Sequence, residues 1–307
     1  MFEILRKRSH AIGILCAVLA AIINSSIGIL NEFAFSKGVK YQDVAFYKTL
    51  IAFIIITLYL VISQQFRAQV FYLRKRVKEL LILSFTGVFC LYFFETWAFS
   101  ESNIPLTAFM IYAPGIITVI LSVVFLKERA TLKMLFSVCM VFVGCYLLVA
   151  GNVVPVYGEG ILYAFIGGLG YGFFIFLSKI FKIEYAFAAL WWCFLFGSIL
   201  LFIPYYYLND YKVIFFPLNS MIYIVLLAAF PTILGFLLTM YAVRHAPASY
   251  VQILETSDPL FASVAAYIIF SQTLSNISLH GSALILIGLF ILSFSKKNKE
   301  LKNVNDF

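Results

Sequence analysis

Long apolar runs separated by short polar connections make up most of the chain. A run of about twenty residues is long enough to cross the hydrocarbon core of a bilayer as an α-helix. Ten such runs cover roughly residues 12–35, 44–63, 79–99, 104–125, 131–150, 159–180, 186–208, 221–243, 248–270 and 276–295. Because most connections are short, neighbouring helices are expected to be antiparallel and packed together. The pattern predicts an all-α polytopic membrane protein with ten transmembrane helices.

One sequence pattern occurs twice, at an offset of 144 or 145 residues. The first copy consists of Trp97-Ala98, Pro114, the turn FLKERAT from Phe125 to Thr131, and Gly144. The second copy consists of Tyr241-Ala242, Pro259, IFSQTLS from Ile269 to Ser275, and Gly288. Internal duplication in an apolar protein is typical of solute transporters, and an odd number of spans per copy inverts the second copy. We therefore predict two inverted five-helix repeats in residues 1–151 and 152–295, and a basic cytoplasmic tail in residues 296–307.

Composition supports a membrane protein and narrows its chemistry. Hydrophobic residues make up 63% of the chain and charged residues 12%, and the mean hydropathy is +1.00. A soluble domain of this length would need far more polar surface. The five cysteines lie in apolar runs without metal-type spacing, and the sequence lacks a Gly-rich phosphate loop and a GxSxG elbow. We expect no cofactor, no metal and no ATP hydrolysis, so transport would draw on an ion or the solute gradient.

The net charge of +8 is explained by topology. In the predicted arrangement, 18 of the 22 Lys and Arg residues fall on one side of the membrane. The positive-inside rule then places both termini in the cytoplasm, in a cytoplasmic (inner) membrane. Contact with membrane lipids is an expected by-product, and nucleic-acid binding has no support. The first apolar run follows Arg6, Lys7 and Arg8 but is too long for a signal peptide, so we expect it to be retained.

Several motifs carry a family resemblance across most of the chain. The second span begins with the residues from Phe46 to Ala52, and the third ends with Glu95-Thr96-Trp97-Ala98-Phe99. Pro114 and the turn from Leu126 to Thr131 follow. Together with the duplication, these motifs resemble the EamA-type transporters of the drug/metabolite transporter superfamily.

The resemblance has two departures and several implications. The second copy lacks the Glu and Arg of the turn, and Lys48 stands where the family usually has Arg. The resemblance implies a carrier with a central cavity between two pseudo-symmetric halves, which works by alternating access. Relatives move amino acids, nucleotide sugars, vitamins, quaternary amines and other polar metabolites, so the family does not name the substrate.

A polar cluster in the ninth span is the principal candidate site. Glu255 and Asp258 are three residues apart, so they are expected to share one helical face, with Asp258 near the midplane. Pro259 should kink the helix and free the Glu255 carbonyl. Such a cluster suits a cationic or zwitterionic solute or a coupled proton, although the carboxylates could instead bond to neighbouring helices for packing. Pro114 lies at the matching place in the fourth span, and paired proline-interrupted spans indicate a binding site.

Glu95 and Lys48 each have two possible roles. Glu95, near the outer end of the third span, could bind substrate or carry a proton, or it could extend to the outer interface. Lys48 could be the counter-charge of Glu95, but a lysine close to a span end is expected to snorkel to the headgroups.

Four further candidates complete the predicted site. Asn24, midway along the first span, could line a cavity or bond to a neighbouring helix. Trp97, Tyr171 and Trp192 could stack on an organic solute, with packing as the alternative. Glycines from Gly167 to Gly172 include a GxxxG pair, which favours close helix packing, within one chain or in a homodimer.

These observations predict a carrier that moves a small polar organic metabolite, amino-acid-like or cationic, and proton coupling is a further hypothesis. An integral-membrane enzyme acting on lipid headgroups is the alternative, but it would need acids or histidines clustered at one interface. A structural or signalling membrane protein is a further alternative, which metabolite binding would exclude.

Overall fold

The structure is a computed structural model that describes residues 2–150, 158–270 and 275–293. These residues form sixteen α-helices, and no strand occurs among them. The predicted repeat boundary at residues 151 and 152, the tail 296–307 and most of the second turn lie outside the described residues.

The first repeat contains nine α-helices. They are α1 (Phe2–Asn24), α2 (Ser26–Phe35), α3 (Tyr41–Ile62), α4 (Gln64–Leu73), α5 (Val77–Ser84), α6 (Leu91–Glu101), α7 (Ile104–Tyr112), α8 (Gly115–Phe125) and α9 (Leu132–Ala150). A 3₁₀ turn at Arg74–Arg76 precedes α5, and a π-helical segment at Phe85–Cys90 joins α5 to α6.

The second repeat contains seven α-helices. They are α10 (Gly158–Phe181), α11 (Ala186–Leu208), α12 (Leu218–Leu227), α13 (Phe236–His245), α14 (Ala248–Glu255), α15 (Asp258–Phe270) and α16 (Asn276–Ser293). A second π-helical segment, Ala228–Gly235, joins α12 to α13. The two π-helical segments lie at matching places in the two repeats.

Eight helical segments in the described part of the chain are long and apolar enough to cross a membrane. They are His10–Phe35, Tyr41–Ile62, Gln64–Glu101, Ile104–Phe125, Leu132–Ala150, Gly158–Phe181, Ala186–Leu208 and Leu218–His245. They correspond to the first eight predicted spans. The third is longer than predicted because the basic connection before it is also helical.

The helices of one repeat pack mainly on helices of the other. The pairs are α1 with α13, α6 with α10, α3 with α11, α8 with α14, α7 with α15, and α9 with α16. The pairing of the first and eighth spans is mirrored by that of the sixth and third, as expected for a duplicated unit. The close contact of α9 and α16 depends on Gly144 and Gly281, because a Cβ on Gly281 would lie 2.5 Å from the Gly144 carbonyl oxygen.

Both predicted proline interruptions are present. Ala113 and Pro114 form a turn between α7 and α8, and Thr256 and Ser257 form one between α14 and α15, directly before Asp258-Pro259. The expectation that Glu255 and Asp258 share one continuous helical face is therefore wrong, since Glu255 ends α14 and Asp258 begins α15.

The glycine run of α10 provides close packing within the chain, as its composition predicts. A Cβ on Gly168 would lie 1.9 Å from the Ile111 carbonyl oxygen of α7, and a Cβ on Gly167 would lie 3.2 Å from the Glu95 amide nitrogen of α6. Only glycine lets α10 approach both helices so closely. This approach carries Tyr171 into the centre of the bundle.

Candidate functional site

The helix interruptions bring polar side chains together in the middle of the bundle. The cluster consists of Lys48 on α3, Glu95 on α6, Tyr112 on α7, Tyr171 on α10, Thr239 on α13, Glu255 at the end of α14 and Asp258 at the start of α15. All seven side chains are buried. Because ionisable groups inside a membrane protein are costly, such a cluster is a functional-site candidate by default.

An ion pair joins Lys48 to Glu95. The Lys48 ammonium donates to Glu95 Oε2 at 3.2 Å and to Thr96 Oγ1 at 3.4 Å, and it lies 4.1 Å from the centre of the Tyr92 ring. The Lys48 side chain is only 1% exposed. The structure thus places Lys48 as the counter-charge of Glu95 and not at the headgroups. Neither side chain extends to an interface, because each satisfies the other inside the bundle.

Glu255 is held by hydroxyl groups instead of a cation. Its Oε1 accepts a hydrogen bond from Thr239 Oγ1 at 2.7 Å, and its Oε2 accepts one from the Tyr171 hydroxyl. The two hydroxyl oxygens are 3.0 Å apart. Glu255, Tyr171 and Thr239 therefore form a closed ring of three oxygen contacts, which we call the hydroxyl ring.

Asp258 faces a small internal cavity. Its Oδ2 has a long hydrogen bond, 3.5 Å, from the Tyr112 hydroxyl. The cavity has a volume of about 10 Å³, and its lining includes Asn24, Gly28, Glu95, Phe99, Tyr112 and Asp258. That volume is about what one water molecule requires. Two carboxyl groups from different repeats thus face one small polar space.

At one end of the bundle, apolar side chains close the cavity. A Cβ on Gly28 would lie 2.5 Å from Ile104 Cγ2 and 2.9 Å from Phe99 Cε1, so these side chains cover Gly28. Farther along α2 and α6 is a surface depression of about 390 Å³, lined by Phe35, Val39, Lys40, Tyr41, Gln42, Ser100 and Leu208. Phe99 lines the cavity and its neighbour Ser100 lines the depression. The two spaces thus have adjacent residues of α6 in their linings.

At the opposite end, which we call the Glu128 end, the two repeats are joined by a carboxylate. Glu128, in the turn after α8, accepts hydrogen bonds from the backbone N–H groups of Ala248 at 2.8 Å and Ser249 at 3.1 Å. It also accepts one from Ser249 Oγ at 2.5 Å. These N–H groups belong to the first turn of α14, where helices leave donors unsatisfied and favour negative charge. Glu128 thus caps a helix of the other repeat.

Comparison with known proteins identifies the family. The sequence profile of the EamA-like transporter family matches residues 11–150 and again residues 158–294. The chain belongs to the EamA-like transporter family. It is similar to an uncharacterized transporter of Archaeoglobus fulgidus, at 26% identity over 198 residues, which are 63% of this chain and 68% of that protein.

A solved crystal structure of another protein has the same fold as this EamA-like transporter. It superposes with a TM-score of 0.72 at 14% identity and covers 91% of this chain and 95% of that one. The family and the relative's name indicate a multi-pass membrane transporter and not an enzyme. The cavity and its carboxyl groups are thus interpreted as parts of a carrier.

Two of the predicted site residues of this EamA-like transporter lie away from the cavity. Trp97 stacks between Tyr41 and Tyr163, with ring centres 4.8 and 3.9 Å away. Trp192 donates its indole N–H to the Val70 carbonyl oxygen at 3.0 Å, near α4. The other predicted residues lie closer to the centre of the bundle. Asn24, Glu95 and Asp258 line the cavity, Tyr171 and Glu255 form the adjacent ring, and Pro114 and Pro259 lie at the helix interruptions.

Sequence reasoning missed two residues of this centre and one at the Glu128 end. Tyr112 and Thr239 look like ordinary polar residues in apolar helices, and only their tertiary partners distinguish them. Glu128 was noted only as part of the turn motif. A signal for its role existed, because α14 begins at Ala248 after a proline, and no side chain caps it locally. A helix start without its own cap needs an acceptor from elsewhere.

Proposed function

We propose that this EamA-like transporter moves a small polar organic metabolite, amino-acid-like or cationic, across the cytoplasmic membrane by alternating access. The observation that carries the proposal is the cavity between the repeats, which is faced by Glu95 and Asp258. Lys48 is paired with Glu95, and among the described residues the hydrogen-bond partner of Asp258 is the Tyr112 hydroxyl, at a long distance of 3.5 Å. A carboxylate in that position attracts a cationic group of a solute.

The proposed topology has ten spans with both termini in the cytoplasm. In it, α14 and α15 together form a ninth span interrupted at the cluster, and α16, which packs on α9, forms the tenth. Basic side chains support the Glu128 end as the cytoplasmic one. Arg76 donates to the Phe181 carbonyl oxygen there, and Lys179 to those of Val243 and Ala246.

Alternating access is supported by the different closures at the two ends. Phe99 and Ile104 cover Gly28 at the proposed outer end, and Glu128 joins the repeats at the proposed inner end. A cavity of about 10 Å³ is too small for an organic metabolite. The structure therefore corresponds in this scheme to an occluded state. Opening either closure would widen the cavity toward one side, and the direction of net transport would follow the gradients.

Transport by purified protein in vesicles of phosphatidylethanolamine and phosphatidylglycerol tests the proposal. The probes are radiolabelled amino acids and quaternary amines, each followed by exchange against the same unlabelled compound. We expect at least one probe to exchange faster than in protein-free vesicles. Loss of a charge-assisted contact in D258N should lower that exchange at least about tenfold. E159Q, at an exposed position of α10, is the control and should behave as wild type.

Two results would reject the proposal. The first is that no probe of the panel exchanges faster than in protein-free vesicles. The second is that D258N exchanges the active probe as fast as wild type and E159Q, which would remove Asp258 from the solute site.

A further inference from the structure

The hydroxyl ring is sealed from the cavity that Asp258 faces. Glu255 and Thr239 are fully buried, and Tyr171 is 2% exposed. None of the three lines the cavity. Glu255 therefore has a setting different from that of Glu95 and Asp258, although all three carboxyl groups lie in one polar cluster.

Counting hydrogens shows which form of Glu255 the ring fits. The ring has three contacts: Glu255 with Thr239 at 2.7 Å, Thr239 with Tyr171 at 3.0 Å, and Tyr171 with Glu255. Each hydroxyl supplies one hydrogen, and an ionised carboxylate supplies none. The ionised ring would thus have two hydrogens for three contacts. A protonated Glu255 supplies the third, and then every oxygen pair in the ring has one donor and one acceptor.

Among the described residues, no cation is paired with Glu255 to balance its ionised form. The two ion pairs between described residues join Lys48 to Glu95 and Arg76 to Glu79. The titratable groups facing the ring are Tyr112 on α7, Tyr92 on α6, Asp258 on α15 and the Cys145 thiol of α9, which contacts the Thr256 carbonyl. Two further charged residues near α13 and α14 have partners at the Glu128 end. Glu128 accepts hydrogen bonds from the first turn of α14, and Arg244 of α13 donates to the Glu184 carbonyl.

We propose that Glu255, closed in a ring with Tyr171 and Thr239, is the binding site of a coupled proton, separate from the solute site at Asp258. This inference rests on the proposed function for its transport consequence. Asp258 and Glu255 interact electrostatically. A cationic solute at Asp258 is attracted by an ionised Glu255 and not by a protonated one, so solute binding favours release of the proton. The carrier therefore exchanges protons for solute.

The step is a simple proton transfer. When the ring opens to water on one side, the O–H bond of Glu255 breaks and the proton passes to water, which leaves a solvated carboxylate. Return of a proton from the other side restores the ring. Thr239 and Tyr171 keep their own hydroxyl hydrogens in both states.

E255Q is a suitable test variant because its amide can replace the protonated carboxyl. The amide oxygen accepts from Thr239, and the amide nitrogen donates to Tyr171, whose hydroxyl then donates to Thr239. The variant should fold and bind solute but cannot release a proton. E159Q, at an exposed position, is the matched control.

Infrared difference spectra, recorded without any solute, test whether Glu255 is the residue that binds the proton. Protein in phosphatidylethanolamine and phosphatidylglycerol vesicles is compared between mildly acidic and alkaline buffer. We expect a band of a protonated carboxyl carbonyl in wild type and E159Q that is absent in E255Q. A band that persists unchanged in E255Q overturns the assignment. So does the absence of any such band in wild type.

A transport assay tests whether proton movement and solute movement are coupled. With the active probe of the exchange assay, wild type and E159Q should accumulate the probe in vesicles that are acidic inside, and a protonophore should abolish this accumulation. E255Q should lose the accumulation but retain exchange of labelled for unlabelled probe. Equal accumulation by E255Q and wild type overturns the coupling. If no probe is transported at all, the proposed function fails, whereas the infrared result still decides the proton site.

Discussion

The ion pair of the first repeat and the hydroxyl ring of the second bury a carboxyl group in two different ways. Glu95 has a cation, Lys48, at 3.2 Å, whereas Glu255 has only hydroxyl partners. At the offset that pairs Trp97 with Tyr241, the counterpart of Glu95 is Thr239, which donates to Glu255. Both repeats thus have a polar side chain at this position, but in the second repeat the carboxyl group lies on the next helix, α14. The two repeats therefore satisfy a buried carboxyl group differently, the first with a counter-charge and the second with hydroxyl groups.

The largest expected effect is that of K48M, which removes the cation and leaves Glu95 buried without a partner of opposite charge. Breaking a buried pair in this way costs about 3–5 kcal/mol. Thermal unfolding in detergent should show a large loss of stability, and E255Q, which preserves its ring, should show a small one. The double variant K48M/E95L should recover most of the loss, because apolar replacement of a buried pair is often nearly neutral. A double variant no more stable than K48M would contradict this explanation.

The second expected effect concerns the approach of α10 to α7, on which the ring depends. In G168A the new Cβ would lie 1.9 Å from the Ile111 carbonyl oxygen. The helices must separate, which costs about 1–3 kcal/mol in a well-packed core. The same melting assay measures it, and the infrared band of Glu255 should shift because Tyr171 lies on the displaced helix. G158A is the control, since its new Cβ would have no tertiary contact within 4 Å among the described residues. Equal stability of the two variants would show that the backbone contact is not limiting.

Loss of one hydroxyl from the hydroxyl ring should lower the stability of the protein moderately. T239V keeps the side-chain shape but removes the donor to Glu255 Oε1, which costs about 1 kcal/mol. T86V is the matched control, because the Thr86 hydroxyl donates only to carbonyl groups of its own helix. Melting curves should separate the two variants. The infrared band should change in T239V alone, and a band unaltered in T239V would exclude Thr239 from the ring.

The smallest expected effect is that of E128Q, which tests whether the central clusters are independent of the closure at the Glu128 end. A neutral amide can still accept a hydrogen bond, so the loss is limited to the interaction of the charge with the α14 terminus, about 0.3–1 kcal/mol. Hydrogen exchange should become faster at the Ala248 and Ser249 amides, and the Glu255 band should be unchanged. E101Q, at an exposed position, is the control. Altered exchange throughout α14 would indicate that cap and ring are coupled.

The sequence predicted the helices and their interruptions because these depend on local properties. Apolar run length determines where a span can lie, and a proline such as Pro114 or Pro259 removes a backbone donor wherever it occurs. The repeat followed from comparison of the chain with itself. The family profile confirmed the two copies over residues 11–150 and 158–294.

The partners of the polar residues could not be predicted in the same way. Lys48 was placed too close to an interface, because α3 begins at Tyr41 and not near residue 44, so Lys48 lies deeper in the bundle. The polar residues Gln42 and Asp43 join the helix because Asn209 of the other repeat pairs with both. Which face of a helix meets which neighbour depends on tertiary packing. That is why Trp192 and Tyr171, both aromatics within apolar spans, lie in different places.

The matching π-helical segments, Phe85–Cys90 and Ala228–Gly235, bear on the ancestry of the chain. A π-helical turn arises when an α-helix accommodates one additional residue. Two independent insertions would be needed to place such turns at equivalent points in both halves, whereas duplication of one ancestral gene that already carried the insertion accounts for both at once. A single precursor of about half this length would already have had the wide turn beside its centre.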